Sequence, residues 1–103
     1  MELLTNEQRE QMLANGRVNA GREESKDFAP VVRLYCPWTD AIWLLTELDP
    51  EDPDIAFGLC DLGMGFPELG NVSLAEMAAV SGPGGLRIQR DEIRRFATTR
   101  MHG

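Results

Sequence analysis

The chain has 103 residues, 43% of them hydrophobic and 26% charged, with a formal net charge of −7. A chain of this length forms one domain, burying about 60–70% of the surface it would expose unfolded, so its core needs no metal or disulfide staple. No apolar run approaches the roughly 18 residues of a membrane-spanning helix, the start lacks the basic-then-apolar order of a secretory signal, and the acidic balance repels phosphate backbones; a cytoplasmic protein with no membrane partner is expected.

"LLTNEQREQMLANG" reads as a helix. Thr5 is placed as its N-cap with Gln8 as reciprocal partner, Glu7 sits in the first turn where the dipole favours an acid, and Asn15-Gly16 is the expected stop. Leu3, Leu4, Met12 and Leu13 form an apolar stripe suited to docking on a larger body. Residues 17–29 are polar and aperiodic, a linker or extended arm. "PVVRLYC" (30–36), "AIWLLTEL" (41–48) and "DIAFGLCD" (54–61) read as strands. In the second, Ile42, Leu44, Thr46 and Leu48 alternate with Trp43, Leu45 and Glu47; in the third, Ile55, Phe57 and Leu59 share one face. Pro50 and Pro53 stiffen the acidic connection between them, which is too short for a parallel crossover.

The next stretch, "FGLCDLGMGFPELGNVSLAEM", crowds Gly58, Gly63, Gly65, Pro67 and Gly70 together. Glycines there allow sharp reversals, and Phe66 and Leu69 point to a loop that folds back onto the core. "SLAE" (73–76) is a capping box opening a helix to Val80, with Leu74, Met77, Ala78 and Val80 inward. "SGPGG" ends it, "LRIQR" (86–90) is a short strand, and residues 91–101 suit a last helix with Asp91 and Glu92 in front and arginines behind. The expected fold is α+β, with an antiparallel sheet of about four strands and two to three short helices. Residues 1–29 form an N-terminal helix and linker arm, and residues 30–103 a single α+β domain.

The segment "PVVRLYCPWTDAIWLLTELDPEDPDIAFGLCDLGMGFPELGNVSLAEM" resembles a family of small bacterial proteins, domain of unknown function 2958. The likeness spans residues 30–90 and includes the Pro37-Trp38 step; the early "LLTNEQREQMLANG" also fits. It implies association with plasmids and other mobile elements, sometimes near antirestriction genes, and no established activity. Family members tend to continue past Asp91 with a short aromatic-bearing strand, where this chain has "EIRRFATTRMHG".

Charge is unevenly spread. Residues 1–30 carry six acids and four bases, residues 31–86 nine acids and one base, and residues 87–103 two acids and five bases. An acidic surface is therefore expected at Asp49, Glu51, Asp52 and Asp54, directed at a protein partner. These are hard oxygen donors, but the EF-hand order of ligands is absent, so no metal is assigned. Nucleic acid is not the expected partner, and only Arg87, Arg90, Arg94, Arg95 and Arg100 could bind it weakly.

The glycines stand too early before Ser73, and too close to Asp61 and Glu68, to cradle a phosphate; a tight corner is the better reading. Asp61 and Glu68 flank that corner and are candidate paired carboxylates, although Asp61 more ordinarily accepts amide hydrogen bonds from the glycine loop. Arg33, the only base in residues 31–86, is the candidate partner of either acid. Trp43 belongs to the core, while Trp38 at a turn caps the core or anchors a partner. Cys36 and Cys60 read as reduced thiols that could face each other across the sheet; with His102 far along the chain and no GxSxG elbow, no nucleophile and no cofactor are assigned. The leading functional reading is a non-enzymatic accessory or interaction protein of mobile-element biology. Its rivals are a small enzyme or ligand-binding domain at residues 61–70 and a weak nucleic-acid binder. The oligomeric state is open.

Overall fold

The computed structural model describes residues 3–20 and 27–91. It is an α+β fold. Helix α1 (Asn6–Ala20) is followed by β1 (Val32–Tyr35), β2 (Ile42–Asp49), β3 (Asp52–Asp61), β4 (Glu68–Ser73), α2 (Leu74–Ala79), a short 3₁₀ turn and β5 (Gln89–Arg90). The strands form one five-stranded sheet in the order β4-β3-β2-β1-β5, antiparallel throughout.

The N-terminal box forms as the sequence requires. The Gln8 amide donates to Thr5 Oγ1 at 3.0 Å and the Thr5 amide to Gln8 Oε1 at 2.9 Å, satisfying two of the helix's free N–H groups. Asn15-Gly16, however, does not stop α1, which runs on to Ala20. Both residues are buried inside the helix because β2 passes directly against them. A Cβ on Gly16 would stand 1.8 Å from the Leu48 carbonyl oxygen. The Asn15 side-chain amide donates to the Thr46 carbonyl at 2.8 Å and its Oδ1 accepts from Gln11 Nε2. A glycine and an asparagine that punctuate a helix elsewhere serve here for close approach and for a buried polar bond.

The expected alternation along β2 is also broken. Opposite β3, Leu45 pairs with Gly58 and Glu47 with Phe57, leaving Thr46 as a bulge. The bulge moves Leu48 onto the same face as Leu45, and both are fully buried together with Val32, Leu34 and Ala56. The buried face of β3 is thus Ala56 and Gly58, while Ile55, Phe57 and Leu59 are half-exposed on the other. Leu3, Leu4 and Met12 join this core, as do Leu74 and Met77 of α2. Ala78 and Val80, expected inward, are exposed because α2 is too short to bury more than one stripe.

The sheet has one strand more than expected, since β4 starts within the glycine-rich stretch. The last expected helix lies outside the described residues from residue 92 onward. A Gly16→Ala change normally favours a helix by about 1 kcal/mol. Here the added methyl meets backbone, and overpacking costs about 1–3 kcal/mol or more. Urea unfolding is expected to show net destabilisation of Gly16→Ala, and a stabilised variant would rule out this close contact.

Candidate functional site

β3 and β4 form a hairpin whose turn, residues 62–67, is the glycine-rich stretch. Gly63 and Gly65 have φ of 82° and 80°, the left-handed region that other residues resist. The Gly63 amide donates to Asp61 Oδ1 at 2.9 Å, so Asp61 braces the turn as an Asx side chain does. The loop does not fold back onto the core. Pairing of Cys60 with Glu68 uses the chain up to the base of the turn, which passes close to Asp40 at Gly63 but leaves its apolar side chains uncovered. Leu62, Met64, Phe66 and Leu69 are 58%, 73%, 79% and 58% exposed.

Asp61 and Glu68 do not converge. Glu68 shares a face with Cys60, its partner in the ladder, and Asp61 is the next residue along β3. Strand alternation therefore sends the two carboxylates to opposite sides of the sheet. Arg33 pairs with neither: its guanidinium forms an ion pair with Asp91 and lies 6.0 Å from the centre of the Tyr35 ring. These groups border a cleft of about 530 Å³ that also takes in Cys36, Thr39 and Asp40.

At the far end of the sheet, Pro50 and Glu51 form the turn between β2 and β3. Asp49 Oδ1 accepts from the Glu51 amide and Asp52 Oδ1 from the Asp54 amide, so two of the acids stabilise their own turn. Asp54 is drawn into the start of α2. Its carboxylate accepts from the Ser73 hydroxyl and, at 2.8 Å, from the Ala75 amide, while Ser73 accepts from the Glu76 amide. The Ser73 bond, followed by the Ala75 bond, holds the Asp54 carboxyl below its ordinary range. Glu47 is displaced the other way: burial raises its carboxyl, partly offset by the bond from Asn19. Among the described residues, no group of three or more His, Cys, Asp or Glu side chains is arranged to hold a metal ion.

Trp43 packs on the core and Trp38 is half-buried, its ring over Gly82, where a Cβ would be 2.5 Å away. The two indoles, with Val72, Glu76 and Met77, border an apolar cleft of about 700 Å³ beside β4. Cys36 and Cys60 are free thiols and do not face each other, because β2 runs between β1 and β3. Burial raises the Cys60 thiol and keeps it protonated. Of the C-terminal arginines, Arg87 donates to the Ala78 carbonyl and Arg90 lies in β5; Arg94, Arg95 and Arg100 lie outside the described residues. No described helix is long and apolar enough to cross a membrane.

Sequence reasoning missed the exposed hairpin tip. The available signal was three large apolar residues, Leu62, Met64 and Phe66, set among glycines and a proline, with too little chain between Asp61 and Glu68 to reach back to the core.

Residues 3–101 match the family model described as "Protein of unknown function (DUF2958)", and the chain belongs to that family. No curated protein and no solved structure matches it.

The bonds that lower Asp54 exist only in the folded chain. Their contribution is therefore present above the ordinary carboxyl value of 3.8 and lost as pH falls through the lower folded value. Asp54→Asn is expected to melt below the parent at neutral pH, with the gap closing as acid protonates the parent. A gap constant down to pH of about 2 would contradict the assignment. Glu47 has the opposite sign: its ionised form costs stability at neutral pH, and the cost is relieved as pH falls.

Proposed function

We propose that the protein is a non-enzymatic interaction protein serving bacterial mobile elements, and that it presents its acidic central half to a basic partner protein. The observation that carries this reading is the β3–β4 tip, where Leu62, Met64, Phe66 and Leu69 stand exposed at the end of a hairpin. Exposed apolar groups clustered at one place lose free energy to water unless a partner covers them. They lie within residues 34–86, which hold nine acids and no lysine or arginine. Such a field speeds encounter with a basic surface, while the apolar tip supplies the contact that slows release. Two features stand against chemistry at the glycine loop: Asp61 braces the turn, and Glu68 faces the other way. Family membership supplies no activity that argues otherwise.

The test is capture from the bacterial host with the parent chain and with Met64→Ser/Phe66→Ser. Both side chains are exposed, so the double variant is expected to keep its circular dichroism and its melting midpoint. It is expected to retain at least about tenfold less of a basic protein that the parent holds in low salt. Equal capture by parent and variant would overturn this reading.

A further inference from the structure

We propose that the free edge of β4 is a docking strand that receives an extended, lysine- or arginine-bearing segment of a partner protein as an additional strand of the sheet. This rests on the interaction reading above and adds where the partner sits and in what conformation.

Among the described residues, β4 is a terminal strand of the sheet, six residues long and paired on one side only, from Cys60↔Glu68 to Ile55↔Ser73. Among the described residues, the backbone hydrogen bonds outside the ladders do not involve residues 68–73. Alternate backbone groups of an antiparallel strand point away from its neighbour, so β4 presents a row of N–H and C=O groups outward. Sheets commonly blunt such an edge with proline, lysine or a bulge. "ELGNVS" has neither residue, and its register with β3 runs without a shift. The opposite edge, β5, is only two residues long.

The surroundings of β4 suit an added strand. Asn71, Val72 and Ser73 form one wall of the 700 Å³ cleft, and Trp38, Trp43 and Met77 form the others. A strand laid along β4 directs alternate side chains to that side. Main-chain bonds to the edge then give affinity, and the cleft selects an apolar side chain. Charge decides among occupants. Glu68 lies in β4, Glu76 borders the cleft, and no base occurs in residues 34–86. A second copy pairing β4 with β4 would bring the same acids to the edge, whereas a basic segment pairs with them.

The test adds to the full chain a synthetic peptide of about ten residues alternating valine and lysine. Exchange of the amides within residues 68–73 that point away from β3 is expected to slow by at least about tenfold, with a blue shift of tryptophan emission. Methylating alternate peptide nitrogens, or replacing lysine by glutamate, is expected to abolish both effects. No binding, or equal binding by the methylated peptide, overturns strand addition. So does protection, without peptide, of the β4 amides that point away from β3: if it grows with protein concentration the occupant is a second copy, and if it is present at every concentration the chain covers its own edge. The two readings fail separately. A partner lost on Met64→Ser/Phe66→Ser that leaves exchange at 68–73 unchanged keeps the interaction protein and removes the docking strand.

Discussion

The architecture depends on the close passage of α1 over an irregular point in β2. A bulge takes Thr46 out of the ladder register, and burial of its carbonyl oxygen unpaired would cost about 1–3 kcal/mol. Asn15 supplies the missing donor from a helix that can come near enough only because position 16 has no side chain. The Thr46 hydroxyl meanwhile bonds the Phe57 carbonyl across the strand pair. The same bulge lets Leu45 and Leu48, three residues apart, enter one core. Helix, bulge and core are thus one arrangement, and Met12 fills its centre.

That arrangement explains which parts of the fold were legible beforehand. Thr5 with Gln8 and Ser73 with Glu76 signal helix starts because their bonds are local and need only a few neighbouring residues. The strand runs 32–35 and 42–49 were legible from β-branched and aromatic content. Asn15 and Gly16 were misread because their roles come from contact with Thr46 and Leu48, roughly thirty residues away, which local propensity does not contain. Strand β4 was hidden for a related reason. "ELGNVS" has weak strand propensity, and it becomes a strand because β3 offers it a complete row of partners.

The candidate site divides in the same way. That Asp61 braces the glycine turn was legible, since an aspartate bonding the amide two residues on is a local device. The partner of Arg33 was not, because Asp91 meets it only through the pairing of β1 with β5. The acidic run between β2 and β3 is likewise only partly a surface. Asp49 and Asp52 hold their own turn, and Asp54 is committed to the start of α2. A count of charges overstates how many carboxylates remain for a partner, and the same bonds give the charge a structural origin.

Two unguarded features then meet at one end of the molecule, an apolar tip and an open strand edge, joined by Leu69, which belongs to both. Each alone is a hazard in a sheet protein, since exposed apolar groups and unpaired strand edges both promote association. The other edge of this sheet is short and ends in Arg90, so the open side is a local property rather than a general laxity of design. The acids nearby make the hazard selective. On the proposed reading, the acids of residues 34–86 disfavour edge-to-edge pairing of two copies and favour a basic segment. A strand edge open among the described residues, with apolar groups beside it and acids near it, is the physical basis of the proposed docking of an extended chain.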